Sequence, residues 1–504
     1  MAYIIGYDLG TTAIKVSLFD EQGNLLEKST QEYELSTPSP RAVEQEVSVY
    51  WDSFKKGLKE VIDKSKVSSG NIKCVGVSAQ GETLITIDRE GNPLRPAIVW
   101  LDSRAEKEAK ILADTFKNEN IYRRTGQVEM VPTWPAAKIL WLKRHEPEIF
   151  KKTFKFLLIE DYFIYRLTGS FVSEGSLLCS TTYWDIRKKK WWGEMLDFLG
   201  IDEDKLPEIK EPGELIGPIK KEVASELGLS TDTLVTTGAL DQACGAIGVG
   251  NIKPGIISEN IGAALAICAT VNEPFVDPNK KMPCHYHGLP DTYMAHTFTT
   301  GGMVLRWFRD KFCQEEKSVA ERIGEDSYNI LGAEAAKIPP GSEGLIFLPH
   351  LQGAMAPEVN PKAKGVLYGF TLRHTKAHVI RAIMESLAAA IRRNIDALED
   401  LGIKVSEIRS LGGGARSKLW SQIKADLTEC PLVTTEYEDA ACLGAAILAG
   451  TATGVWSSVK EAVEKVVRLK SRFNPREETR ELYRKFYKMY VKLYEDLCGL
   501  FEVY

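Results

Sequence analysis

One pattern occurs twice in this chain, half a chain apart, and it constrains the fold more than any other feature. Asp8-Leu9-Gly10-Thr11-Thr12 lies between the apolar runs Ile4-Ile5 and Val16–Phe19, and Asn260-Ile261-Gly262-Ala263-Ala264 lies between Ile256-Ile257 and Leu265–Cys268. The offset is 252 residues in a chain of 504. Each copy reads as two short strands joined by a glycine turn. Only the glycine is identical over the five positions, so coincidence stands beside duplication as an explanation; a true repeat would mean two similar domains, each offering a turn to a shared cleft. The boundary is expected near 248–253, where Gly248-Val249-Gly250-Asn251 precedes Lys253-Pro254-Gly255, giving domains of residues 1–249 and 250–504. Domains of roughly 100–200 residues allow two to four in such a length.

Around these turns the periodicity sets further elements. Residues 3–8 and 14–19 are expected as strands, with a third strand after Glu21-Gln22-Gly23-Asn24. The opening is therefore a hairpin and not a strand–loop–helix unit. Trp51, Phe54, Leu58 and Val61 fall at helical spacing and predict a helix over 48–65, followed by a buried strand at 72–78. Residues 135–143, 155–167 and 219–228 read as helices, and 234–238 as a strand. In the second half, helices are expected at 376–400, 417–429 and 441–450, with an amphipathic helix over 476–502.

Composition removes several function classes. Lys and Arg number 64 against 69 Asp and Glu, a net charge of −5 with no basic tract, so a nucleic-acid partner is not expected. No apolar run approaches about 20 residues, so no membrane span is expected. The start meets Asp8 and Gly10 before a signal-peptide core could form. Nine cysteines, an odd number with no C-x-x-C pair, suit a reducing cytoplasm better than a disulfide framework.

Three segments carry candidate chemistry. Asp8-x-Gly10-Thr11-Thr12 places a carboxylate, a permissive glycine and two hydroxyls on one turn. Backbone N–H groups there can cradle phosphate oxygens, the carboxylate can hold Mg²⁺, and Lys15 adds positive charge. An ordinary surface hairpin would favour the same residues. There is no P-loop and no protein-kinase Asp-Phe-Gly. Gly238-Ala239-Leu240-Asp241-Gln242 puts a carboxylate at the end of an apolar strand, which suits either a general base facing a cleft or a helix N-cap. Leu411–Ser417 contains Gly412-Gly413-Gly414, where backbone can approach a flat ring, as an adenine or ribose slot requires. Cys284-His285-Tyr286-His287 lacks a second ligand cluster, and alternation on a strand accounts for it equally well.

With these blocks in order along nearly the whole chain, the sequence resembles the FGGY carbohydrate kinase family. The resemblance is carried by Tyr7–Thr12 with Lys15, Ser78–Thr83, Ala97–Ala105, Lys138–Leu142, Asp161-Tyr162 with Leu167-Thr168-Gly169, Gly238–Gln242, Leu348–Leu351, Arg381–Glu385, Gly412–Ser417 and Gly444–Ala446. It implies an α/β protein of two ribonuclease-H-like (actin-like ATPase) domains around a central cleft. It also implies ATP and Mg²⁺, and phosphoryl transfer to a small sugar. By the same resemblance, Asp8 matches the acid near the metal, and Thr11, Thr12 and Lys15 match the phosphate-facing turn. Asp241 matches the catalytic base. Glu82 and Asp241 match acids that hold substrate hydroxyls, with Gln80, Thr133, Trp134 and Gln242 on the substrate side. Gly262, Gly302, Gly413, Gly414 and Ser417 fall on the nucleotide side. Two departures stand out. The second phosphate turn is Gly262-Ala263 where Gly-Thr is usual. Gln80-Gly81-Glu82 matches neither the Gln-Met-His of xylulose kinases nor the Gln-Arg-Glu of glycerol kinases.

The expectation is an ATP-dependent, cytoplasmic kinase of a ketopentose, xylulose or ribulose, with room for a homodimer. The alternatives are a glycerol or tetritol kinase, a sugar-acid kinase, or a nucleotide-dependent sugar sensor that has lost transfer.

Overall fold

The computed structural model describes residues 2–503, which form two compact units. The first contains the chain up to Ile252 and also Thr270–Met294 and Asp439–Val467; the second contains Lys253–Ala269, Ala295–Glu438 and Arg468 onward. The chain thus returns twice to the first unit before it ends in the second.

In the first unit, β1 (Tyr3–Leu9), β2 (Ala13–Asp20) and β3 (Leu25–Glu32) form an antiparallel meander. Helix α1 (Val47–Ser65) buries Tyr50, Trp51, Phe54, Leu58 and Val61. It leads to β4 (Ile72–Ala79), which pairs parallel with β1. With β5 (Leu215–Pro218) and β6 (Leu234–Thr236) the sheet runs β5-β6-β4-β1-β2-β3. Its central strand β1 is apolar almost throughout, with Ile4, Ile5, Tyr7 and Leu9 all buried, as a strand covered on both faces must be. Three further helices carry candidate or supporting residues of this unit: α2 (Pro135–His145), opened by a proline in the first turn, α3 (Ile159–Thr168) and α4 (Asp241–Gly248).

One expectation needs correction. Residues 155–167 are not a single helix: Lys155–Leu158 is a strand and only Ile159–Thr168 is helical. The strand pairs antiparallel with Leu84–Ile87, and the Asp161 carboxylate accepts the Leu158 N–H at 2.7 Å, which starts the helix there. Cross-strand pairing overrides a helical pattern that Phe156 and Leu157 also satisfy.

The second unit repeats the arrangement. Strands β7 (Ile256–Ile261) and β8 (Ala264–Val271) form the second hairpin, and β9 (Tyr293–Thr300) lies beside β8. Helices α5 (Met303–Phe312) and α6 (Lys376–Asp400) lead to β10 (Glu407–Leu411), which pairs parallel with β7. Helix α7 (Lys418–Thr428) connects to β11 (Leu432–Thr435), and β12 (Leu469–Phe473) closes the edge. The order β12-β11-β10-β7-β8-β9 is the order of the first sheet, with the same senses at its centre: a hairpin whose first strand pairs parallel with the next strand. Among the described residues no helix is long and apolar enough to cross a membrane.

The helix Ala440–Ala452, part of the second return, packs on β1 and β4. A Cβ on Gly6 would lie 1.9 Å from the Cys442 carbonyl oxygen, so only glycine fits. Gly6→Ala should therefore push this helix off the sheet and destabilise the first unit by about 1–3 kcal/mol, the usual penalty of overpacking. Calorimetry of the purified variant should show a lowered unfolding transition. An unchanged transition would mean that the contact is not tight in solution.

Candidate active site

The carboxyl ends of three parallel elements meet at one edge of the first sheet. Asp8 on β1 lies opposite Ser78 on β4, and Ala239–Leu240 pairs with Ser78–Ala79, so Asp241 emerges directly from the same register. Ser78 Oγ donates to Asp8 Oδ1 at 2.8 Å. Asp241 opens α4, and its two oxygens accept from the backbone N–H of Gln242 at 2.7 Å and from Gln242 Nε2 at 3.2 Å. Both residues keep part of their surface accessible to solvent. Burial raises Asp241, and the neighbouring charges of Asp8 and Glu82 add to it, against the two hydrogen bonds from Gln242; the carboxyl is pushed up to about 7. Burial likewise raises Asp8, against Lys15 and the Ser78 hydrogen bond. A carboxylate with a proton affinity near neutrality is well matched to accept a proton from a hydroxyl.

The first turn is braced from three sides. The Gly10 carbonyl accepts from the Tyr33 hydroxyl at 2.5 Å and from Gln80 Nε2 at 3.1 Å, and Thr11 Oγ1 accepts from the Trp100 indole at 2.8 Å. Thr12 lies exposed at the tip. Lys15 stands across the hairpin from Asp8, and its ammonium lies 2.9 Å from Asp439 Oδ1. Gln80, expected on the substrate side, is only 4% exposed; besides bracing Gly10 it accepts from Thr83 Oγ1 at 3.2 Å.

Glu82 is the most unusual residue of the site. Its φ is +57°, in the left-handed region that costs a residue with a side chain on the order of 1–3 kcal/mol. The fully buried Lys138 on α2 holds it there, donating to the Glu82 carbonyl at 2.8 Å and to the Val99 carbonyl at 3.0 Å. Burial raises the Glu82 carboxyl, against the Ser180 hydroxyl and Lys138, and burial draws the Lys138 ammonium down. Thr133 and Trp134 precede α2, about one turn ahead of Lys138. Both are half-buried, and the Trp134 indole donates to the Glu129 carbonyl at 2.9 Å.

In the second unit the nucleotide-side candidates also converge. The Ala263 carbonyl accepts the Met303 N–H at 3.1 Å, tying the turn to the start of α5. A Cβ on Gly302 would lie 2.5 Å from the Gly262 oxygen, and one on Gly414 would lie 2.8 Å from the Ile261 side chain. Gly413 is exposed, and Ser417 caps α7 by accepting the Trp420 N–H. A buried ion pair underlies this loop. Lys424 Nζ lies 2.9 and 3.1 Å from the Glu259 oxygens and donates to Ser410 Oγ at 3.0 Å, which joins β7, β10 and α7.

Among the described residues no group of three or more His, Cys, Asp or Glu side chains could hold a metal ion. Asp8 beside Asp241 suits Mg²⁺ better, because that ion is commonly bound by one or two carboxylates together with substrate phosphates. Ser78, Tyr33, Trp100, Lys138 and Asp439 were not singled out for these roles in the sequence. Of these, Ser78, Trp100 and Lys138 stood in recognisable blocks, and those blocks gave no hint of what the hydroxyl, the indole or the ammonium binds.

Comparison with known proteins bears on the family and the fold. Family profiles described as "FGGY family of carbohydrate kinases", N-terminal and C-terminal domain, match residues 3–248 and 268–453. The chain is 32% identical over 456 residues to a gluconokinase of Bacillus subtilis (strain 168), covering 90% of this chain and 88% of the relative. It is 32% identical over 451 residues to a xylulose kinase of Escherichia coli (strain K12), covering 89% and 90%. The crystal structure of a ligand-bound xylulose kinase from Lactobacillus acidophilus superimposes with a TM-score of 0.90 at 28% identity, covering 100% of this chain and 99% of that one. The fold is thus the actin-like ATPase fold of these kinases.

The raised Asp241 carboxyl gives a direct test. Burial pushes Asp161 up to about 7 as well, so in nucleotide-free protein labelled with ¹³C at aspartate two carboxyl signals should titrate near pH 7, and the one belonging to Asp241 should be missing from Asp241→Asn. Because the folded value lies above the unfolded one, stability from this group is present at low pH and is lost as pH rises from about 4 through 7. The asparagine variant should escape that loss. An Asp241 signal that stays ionised at pH 5 would sink this account of the site.

Proposed function

The chain belongs to the FGGY family of carbohydrate kinases and is a phosphotransferase with a hydroxyl acceptor, and on that footing we propose that ATP is the donor and a ketopentose, xylulose or ribulose, the acceptor. The observation that carries the acceptor class is the charge around the site. Glu82 and Asp241 offer two carboxylates to a substrate. The cations nearby are engaged: Lys138 on backbone carbonyls, Lys15 with Asp439, and Arg104 with Asp102 and Glu44. Carboxylates recognise hydroxyl donors, so a neutral polyhydroxyl compound suits them better than a sugar acid. The gluconokinase relative keeps gluconate as the second reading.

Phosphoryl transfer of this kind is chiefly positioning and charge stabilisation. Asp241 accepts the proton of the attacking hydroxyl. Glu82 accepts a hydrogen bond from another hydroxyl and so fixes which one faces the phosphate. The Gly10 N–H is held by the Ala13 carbonyl at 3.1 Å, and the Thr11 and Thr12 N–H groups and the Thr12 hydroxyl face phosphate oxygens, with Lys15 alongside. Mg²⁺, held at Asp8, would neutralise phosphate charge when bound. The glycine turns of the second unit, at Gly262, Gly302, Gly413 and Gly414, with Ser417, would take the nucleoside.

A coupled ADP-release assay over xylulose, ribulose, glycerol, erythritol and gluconate should give the highest kcat/KM with a ketopentose. Gluconate or a polyol at the top would overturn the acceptor assignment, and no sugar-dependent ADP release would make the protein a sensor. Asp241→Asn should lower sugar phosphorylation about 10²–10⁴-fold, the range for loss of a general base, with ATP binding retained. Glu82→Ala should lower kcat/KM for the sugar far more than it changes KM for ATP, because a mismatched site leaves buried groups unpaired. Equal effects on both substrates would assign Glu82 to the fold alone.

A further inference from the structure

The segment that delivers Asp241 is held in an uncommon way. Ala239–Leu240 pairs with β4 on one side only. Gly238 and Leu240, two residues apart in extended chain, direct their N–H groups to the same side. Their acceptors are side chains: Gly238 donates to Glu160 Oε1 at 2.8 Å, and Leu240 donates to Ser176 Oγ at 2.8 Å. Ser176 Oγ in turn donates to Glu174 Oε1 at 2.6 Å. The Glu174 carboxylate also accepts from the backbone N–H groups of Ser176 at 2.7 Å and Leu177 at 2.9 Å. Glu160, Glu174 and Ser176 are all fully buried. On the β4 side the fit is equally tight, since a Cβ on Gly238 would lie 1.8 Å from the Val77 oxygen.

We propose that Glu160 and the Glu174–Ser176 pair are positioning residues: by accepting the N–H groups of Gly238 and Leu240 they fix the strand end that presents Asp241 to the acceptor hydroxyl. The proposal rests on the reading of Asp241 as the proton acceptor. Two buried N–H groups left without partners would favour a shifted backbone, because an unpaired buried donor carries its whole desolvation penalty. A displacement of about 1 Å at the reacting group can cost on the order of 10²-fold in rate. Burial, with Glu174 and Asp161 close by, also pushes the Glu160 carboxyl well above its usual range. A glutamine amide therefore reproduces both its shape and its neutral state.

The test compares Glu160→Gln, Glu160→Leu and Ser176→Ala in the full-length protein, with folding checked by circular dichroism and thermal unfolding. Glu160→Gln keeps the acceptor and should retain kcat within about threefold. Glu160→Leu should lower kcat about 10–100-fold and Ser176→Ala about tenfold, with KM for ATP changed less than about twofold. If the leucine variant does not fold, the milder serine variant decides. Wild-type kcat in a folded Glu160→Leu or in Ser176→Ala overturns the proposal. So does a glutamine variant as impaired as the leucine one, or an equal change in KM for ATP. Placing Ser176→Ala in the Asp241→Asn background separates the two readings. If the serine acts through Asp241, its effect there should shrink to less than about twofold. An undiminished effect overturns the positioning role and leaves the base intact, whereas near-normal turnover of Asp241→Asn alone removes the base and this proposal with it.

Discussion

Within the first unit, the geometry depends on one close packing: the helix Ala440–Ala452 lies on β1, β4 and α4 through glycines that leave no room for a side chain of their own. Added Cβ atoms on Gly6, Gly76 and Gly444 would lie 1.9, 2.2 and 1.9 Å from the carbonyl oxygens of Cys442, Ala445 and Cys244. Close packing of this kind transmits displacement because it has no slack. The strand that ends in Asp8, the strand that carries Ser78 and the helix that begins with Asp241 are thereby fixed to one another. Asp439, just ahead of the packed helix, takes the Lys15 ammonium. A segment more than four hundred residues from the first turn thus completes its electrostatics.

Charge then decides what the site can recognise. Burial raises Asp8, Glu82 and Asp241, and the charges of Asp8 and Glu82 raise Asp241 further, while the nearby cations are engaged by backbone carbonyls or other acids. Such an arrangement is unfavourable alone, and the hydroxyl donors and divalent cation of the proposed reaction would relieve it. The strained backbone at Glu82 belongs to the same balance. The Lys138 ammonium bound to its carbonyl offsets the left-handed φ, so the carboxylate is aimed by a residue more than fifty positions away.

The second unit uses a different device. Glu259, Ser410 and Lys424 form a buried, mutually satisfied triad in which each ammonium hydrogen has an acceptor. Removing one partner of such a pair typically costs about 3–5 kcal/mol, since the other charge is left buried. The triad joins the strand before the second turn, the strand before the glycine loop and the helix after it. That unit therefore carries its glycine turns on a rigid base although Ala263 brings no hydroxyl of its own.

The sequence by itself determined the two hairpins, the glycine turns, Asp8 and Asp241, and the helices with a clear apolar stripe. These are local properties: a strand's alternation, a turn's need for glycine and a helix's 3.6-residue period are all written in contiguous residues. Reading 155–167 as one helix failed because pairing with Leu84–Ile87, some seventy residues earlier, selected a strand. Tertiary structure alone decided the rest: the turn-bracing use of Gln80, the Lys138 ammonium on two carbonyls, the Asp439 partner of Lys15, and the acceptors Glu160 and Ser176 behind Asp241. These side chains satisfy backbone groups or opposite charges far away in sequence, and a single lysine or glutamate has no periodicity to announce its partner. Only the close approach of folded segments reveals which buried donors lack a strand neighbour and therefore which side chains must replace it.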